Sequence, residues 1–436
     1  MQKQLHSLFL IALFSLLCVV PAMAQVTTAS MSGEVSSNGE PVIGATIMAV
    51  HTPSGTNYGT ITNMDGRFDL QGMRTGGPYE ITVSYIGYQT AIFKEVTLQL
   101  GETYNLNVDL KESSEELDEV VVTAERTRFM TEKTGAALNI SNEKMNSIPT
   151  INRSIEDLAR ISPYANGMGF AGGDGRSTNF TVDGANFNNN FGLNDGLPGG
   201  GNPISMDAIE EVQVVIAPFD VRQTNFIGGG INAITKSGTN TFKGTAYTYH
   251  YNDNMRGNRV DGESMNVPAE NDKHIYGATF GGPIIKDKLF FFANVEYQKV
   301  PSTVVNWRAS QDGVADPDNY ISRTTLADMQ RVSEFVRDRY GYDTGSYTNF
   351  PADETNLKLL GRIDWNINND HKLAVRYNYT KNTAWNQTNG NSSDTGYRLN
   401  GMNRFSQYSM AFANSLYSQD NKVNSVSADL NSRFSD

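Results

Sequence analysis

Residues 357–367 read Leu-Lys-Leu-Leu-Gly-Arg-Ile-Asp-Trp-Asn-Ile. The odd positions Leu357, Leu359, Gly361, Ile363, Trp365 and Ile367 are apolar or small, and Lys358, Arg362, Asp364 and Asn366 stand between them. Successive side chains of a strand point to opposite faces, so this is a strand with one greasy face and one charged face. The alternation recurs in Leu373, Val375, Tyr377 and Tyr379 against Lys372, Arg376 and Asn378. It recurs again in Phe291, Ala293, Val295 and Tyr297 against Asn294, Glu296 and Gln298. A half-buried sheet of a soluble protein alternates in the same way. The dyad alone therefore gives strands and leaves their solvent open.

The connections narrow that choice. Strands are expected near 241–252, 272–283, 288–300, 356–367, 371–381 and 420–434. Between them the links run long (253–271), short (284–287), very long (301–355), short (368–370) and long (382–419). Tight turns on one side and extended loops on the other mark a transmembrane barrel of the outer-membrane kind. The aromatics Phe290 to Phe292, and Tyr377 with Tyr379, are expected in its interfacial girdle. An arginine at Ile363 should then impair insertion, and an isoleucine at Arg362 should leave insertion almost unchanged. Within the longest loop, 325–340 reads as a helix started by Thr325 and ended by Gly341. Its apolar stripe, Leu326, Met329, Val332, Phe335, Val336 and Tyr340, is expected to pack over the barrel mouth.

The N-terminus agrees with export. Lys3, the apolar run Leu8–Val20 and the small-residue pattern Pro21-Ala22-Met23-Ala24 make residues 1–24 a signal peptide cleaved before Gln25. Cys18 is the sole cysteine, so the mature chain offers neither disulfides nor a thiol nucleophile. Formal net charge is −12, the wrong sign for a nucleic-acid binder. Downstream of the signal peptide no apolar run reaches helical membrane length, so contact with a bilayer has to be made through strands.

Residues 25–112 break into short strand-like runs separated by turn signals such as Ser37-Asn-Gly-Glu-Pro41 and Asn63-Met-Asp-Gly66. That texture suits an immunoglobulin-like or transthyretin-like β-sandwich. Gly33, Pro41 to Ala45, Thr62 to Phe68, Gly87-Tyr88 and Leu110 resemble the carboxypeptidase regulatory-like domain, a non-catalytic accessory module. His51 stands alone, without a second histidine at zinc spacing. Residues 125–238 hold a helical stretch at 154–161 and a Gly/Asn-rich tract at 166–202. Here Arg176 to Val182 with Asp183-Gly184, Ile209 to Val214, and Gly229-Gly230-Ile231-Asn232 to Gly238 resemble the plug of TonB-dependent outer-membrane receptors. Gly281 to Phe290 is similar to the first periplasmic turn of the Oar-like branch.

Between sandwich and plug, residues 113–124 set Val120, Val121 and Val122 behind an acidic run from Glu115 to Glu119. β-branched residues favour paired strand, and an acidic lead-in keeps such a strand soluble. It is either the last strand of the sandwich, the first of the plug, or a strand for donation. The resemblance implies the third: Leu117, Asp118, Glu119, Val120, Val121, Val122, Thr123 and Ala124 stand where the family keeps its TonB box.

Rival motifs fail on spacing. Gly230 to Ser237 has Thr235 where a phosphate-binding loop requires glycine before Lys-Ser. Asp183-Gly184 reads as a turn rather than a metal ligand, and no ordered calcium-loop spacing occurs. No enzyme, metal or cofactor is expected. The expected fold is mainly β: sandwich (25–112), linker and box (113–124), α+β plug (125–238), and about six first strands of a transmembrane antiparallel β-barrel (239–436). The family implies about 22 strands, so the chain, ending at Arg433 to Asp436, is expected to be C-terminally truncated and unable to transport alone. The resemblance implies an outer-membrane importer whose partners are TonB with its inner-membrane energising complex, outer-membrane lipid and an extracellular ligand. Peptide or protein is preferred over glycan. An adhesin or assembly factor of the same architecture is the alternative.

Overall fold

A computed structural model describes residues 26–112, 120–123, 137–150, 153–189, 197, 202–216, 223, 227–252, 255, 259–264, 272–301, 304–350, 352–388 and 404–434. Residues 1–24, expected to be a signal peptide, and Leu117, Asp118, Glu119 and Ala124 of the expected box lie outside these residues.

The N-terminal strands are β1 (Ala29–Ser37), β2 (Thr46–His51), β3 (Thr56–Ile61), β4 (Arg67–Met73), β5 (Gly76–Ser84), β6 (Ala91–Leu98) and β7 (Val120–Thr123). One sheet is built on the β1–β4 pair, with short strands added along β1; the other runs β7-β6-β5-β2-β3. Alternate residues point inward, so Met31, Val35, Ile47, Ala49, Ile81 and Val83 meet in a sealed core. The triple valine is thus a strand of this sandwich, parallel to β6 with Val121 opposite Ile92, and it is the outermost strand of its sheet.

The middle module holds β8 (Ala137–Ser141), helix α1 (Asn142–Ser147), helix α2 (Ile155–Ala159), β9 (Asn179–Val182), β10 (Ile209–Val215) and β11 (Gly230–Thr235). Ser154 and Asp157 close a capping box on α2. The sheet order is β8-β10-β11-β9, and the short strand Ala185–Asn186 extends it beyond β9. Its core of Ile140, Phe170, Phe180, Val212 and Ile231 continues without a break into Phe292 and Leu360 of the next module.

That module is a six-stranded meander of β12 (Lys243–Tyr251), β13 (Lys273–Ile285), β14 (Leu289–Val300), β15 (Glu354–Asn366), β16 (His371–Asn386) and β17 (Tyr417–Ser432). Every strand pairs antiparallel with the next. The expected strands are found, and the short links expected at 284–287 and 368–370 fall at 286–288 and 367–370. Burial along β15 and β16 is inverted relative to a protein in water. Lys358 is 2% exposed, Asp364 3% and Arg376 3%, whereas Leu359, Ile363 and Trp365 are 38%, 47% and 41% exposed. Water would reverse that pattern; lipid outside and a polar lumen inside account for it.

Two expectations are corrected. Phe290 and Phe292 are buried on the inward face, because they sit on the parity that meets the middle module. Only Phe291 of the three joins the outer surface, against Phe242 and Phe280 at ring distances of 6.4 and 5.5 Å. Helix α3 (Leu326–Tyr340) is capped by Thr325 and Gly341 as read. Its stripe is largely uncovered: Met329 is buried, while Val332, Phe335 and Tyr340 are exposed. The helix lies against a narrow ribbon formed by Arg308–Ser310 and Ile321–Thr325, which is too small to cover the stripe.

Candidate functional site

The residues 182–185 form a two-residue hairpin with Val182 paired to Ala185. Asp183 and Gly184 have φ of 48° and 79°, the left-handed pair that an Asp-Gly turn supplies. The turn buries the Asp183 carboxylate at the centre of the molecule, where it accepts the Thr235 amide (3.0 Å) and hydroxyl (2.7 Å). Two barrel arginines converge on its Oδ1: Arg362 Nη1 at 3.8 Å and Arg376 Nε at 3.5 Å. Arg362 also forks onto Asp364, two residues along the same strand face, at 2.9 and 2.8 Å, and donates to the Thr235 carbonyl at 2.6 Å. Arg376 pairs with Asp429 of β17 at 2.5 Å.

A third arginine enters from the sandwich. Arg74 follows β4, with its backbone fixed at both ends: its amide donates to Tyr58 Oη (3.2 Å) and Tyr79 Oη donates to its carbonyl (2.8 Å). Its guanidinium reaches Asp364 at 3.3 Å and Ser237 at 3.2 Å, over the Phe290 ring. Beside it, burial first and the Arg74 charge second hold the His51 imidazole down at about 3, so it is neutral. Three arginines and three aspartates thus form one cluster to which all three modules contribute, the sandwich through Arg74 alone. Desolvating such charges costs about as much as their attraction returns, but removing one partner strands the others at roughly 3–5 kcal/mol.

Further polar ties hold the middle module inside the curved sheet. Ser205 donates to Glu296 at 2.8 Å, and Glu296 also receives Lys358 (2.7 Å) and Tyr247 (3.0 Å). Thr380 donates to the Pro203 carbonyl at 2.6 Å. Arg153 pairs with Asp207 above the Tyr249 ring. The sandwich docks on the same end: Leu100 N–H donates to Glu211 (3.0 Å), and Gln213 and Asn232 donate to the Leu100 and Val26 carbonyls, each at 2.6 Å. Asn366, beside a short turn, donates to Thr56 at 3.0 Å.

The motif residues are only partly gathered. Asp183 and Gly184 make the turn at the charge cluster. Gly230 opens β11, and Gly229 is required because a Cβ there would lie 2.6 Å from the Phe170 ring. Asn232 ties the sheet of the middle module to the sandwich. Arg176 stands apart from the cluster, in a half-exposed bidentate pair with Asp174. Sequence reasoning missed Arg74, Asp429 and Ser205. It placed Arg362 in the lumen without its partners, so Arg362→Ile spares the lipid face but leaves Asp183 with Arg376 alone and Asp364 with Arg74 alone. Among the described residues, no group of three His, Cys, Asp or Glu is placed to hold a metal ion.

Residues 30–111 match the carboxypeptidase regulatory-like domain, and residues 234–436 match the outer membrane beta barrel domain. The chain is 25% identical to the TonB-dependent transporter Oar of Myxococcus xanthus over 344 residues, which are 73% of this chain and 30% of that one. It is 30% identical to the TonB-dependent receptor SusC of Bacteroides thetaiotaomicron over 231 residues, 50% of this chain and 21% of the other. It superposes on the outer membrane transporter YddB from Escherichia coli with a TM-score of 0.44 and 14% identity, covering 68% of this chain and 37% of that chain. The chain therefore spans less than a third of the length of these two curated relatives. The chain thus joins a carboxypeptidase regulatory-like domain to an outer membrane beta barrel domain whose charged residues face inward and apolar residues outward, and it is similar to TonB-dependent outer-membrane receptors and transporters.

Proposed function

We propose that the protein imports an extracellular ligand with energy delivered through TonB. Residues 125–238 act as the plug, and residues 117–124 as the segment that TonB captures. The observation that carries this reading is β7: Val120–Thr123 is an edge strand on four parallel pairs to β6, followed by the segment leading to β8. An edge strand is a ready template for strand addition. Load applied at β7 passes through residues 124–136 to Ala137, the end of another edge strand. The pairs from Ala137–Val215 to Ser141–Glu211 then give way one after another, and the plug loosens from the lumen.

The test is direct. A peptide spanning Glu115 to Arg126 is expected to bind the periplasmic domain of TonB, and Val121→Pro to weaken it at least about tenfold, roughly 1.4 kcal/mol, by removing a ladder donor. Undiminished binding by the proline peptide contradicts strand addition.

A further inference from the structure

Where sandwich, plug and lumen meet, the three modules line one cavity of about 430 Å³, within the size range of small-ligand sites. The charges of Arg74, Arg362 and Arg376 on its walls are met by Asp183, Asp364 and Asp429. That leaves Lys236, Lys243 and Lys372 facing a single acid, Glu210. Among the described residues none of these three lysines makes an ion pair. Lys372 donates to the Asn369 carbonyl at 2.8 Å and lies over the Tyr58 ring. His51, held neutral, adds no charge. Burial lowers the Lys236 ammonium and raises the Glu210 carboxyl, with each charge easing the other's shift. Both groups are desolvated without a direct partner, in a space that holds surplus positive charge.

We infer that this cavity binds a small multivalent anion, through carboxylate or phosphate groups held by Lys236, Lys243 and Lys372. The chemistry follows from the lining: lysine ammoniums are point-charge donors suited to either oxyanion. The low-dielectric walls of a cleft with surplus positive charge concentrate that field. The inference deepens the import reading by giving the passenger an anionic class at the periplasmic end of the plug. It rests on that reading only for the direction of travel.

Binding is measured at equilibrium by calorimetry on the full chain in detergent at low salt, with citrate and pyrophosphate as separate probes and without TonB. At least one probe is expected to bind. The double variant Lys236→Gln/Lys243→Gln should weaken binding about tenfold, as for the loss of two charge-assisted contacts, and Glu210→Gln should tighten it severalfold. Lys144→Gln, on the exposed face of α1, should change nothing. Citrate binding alone assigns carboxylate, and pyrophosphate binding alone assigns phosphate. Opposite signs at Lys236/Lys243 and Glu210 are not produced by misfolding, so they separate charge recognition from structural damage. Binding of neither probe, or wild-type binding by both site variants, overturns the inference. Because no transport step is measured, that failure leaves the TonB reading standing.

Discussion

Ile363→Arg is expected to remove the receptor from the outer membrane as a folded, heat-modifiable species. Ile363 points outward from β15, and its ladder partners Phe291 and Val375 occupy the same face. The arginine would therefore sit among apolar side chains with hydrocarbon beyond them. A cationic substitution on the lipid face near the bilayer midplane costs about 2–4 kcal/mol, a large share of a net stability of roughly 5–15 kcal/mol. Were the same face in water, Ile363 would be an exposed isoleucine and its replacement by arginine nearly neutral. Outer-membrane fractionation with and without heating decides between the two. Wild-type recovery of folded Ile363→Arg contradicts the lipid-facing assignment.

Asp183→Ala is expected to loosen the middle module, the proposed plug, while leaving the barrel inserted. The substitution removes the carboxylate that Arg362 and Arg376 approach and the acceptor of two Thr235 bonds. Arg362 and Arg376 keep Asp364 and Asp429, so the cost is that of the two buried Thr235 bonds and a weakened charge balance, about 1–3 kcal/mol. The loss falls on the contact between modules, because Asp183 touches no lipid-facing residue. The middle module should become sensitive to proteases at a lower denaturant concentration than the barrel, and, if it is the proposed plug, cells should admit a bulky antibiotic that the wild-type protein excludes. Asp183→Asn, which keeps an acceptor for Thr235 but not the charge, should fall between. A wild-type proteolysis profile together with unchanged exclusion would show that the charge cluster does not hold the plug.

What was legible in the sequence was local. The period of two along Leu357–Ile367, with the alternation of link lengths, sufficed for six strands and their inside and outside. Asp-Gly at 183–184 encodes its own turn, and Thr325 and Gly341 mark the ends of α3. What was not legible was which distant residues a face would meet. Phe290 and Phe292 fit an aromatic girdle by composition, but their parity turns them to the plug, as it does Leu360, the apolar residue on the polar face of β15. Asp183 finds Arg362 and Arg376 across well over a hundred residues of chain, and Arg74 finds Asp364 from another module. No short-range pattern encodes such pairs. The triple valine carries equal information for a sandwich strand and a strand to be captured, and β7 occupies the first of these places in a position that leaves the second open.

The most direct measurement places nitroxide labels one at a time at Leu359, Ile363 and Val375, with Val332 of the exposed helix α3 as a water-facing reference, in protein reconstituted into bilayers. Paramagnetic relaxation by oxygen and by a water-soluble nickel chelate then reports which solvent each position meets. A lipid-embedded barrel predicts high oxygen and low nickel accessibility at the three strand positions, and the reverse at Val332. Nickel accessibility at Leu359, Ile363 and Val375 equal to that at Val332 would place the outward face in water and contradict the barrel.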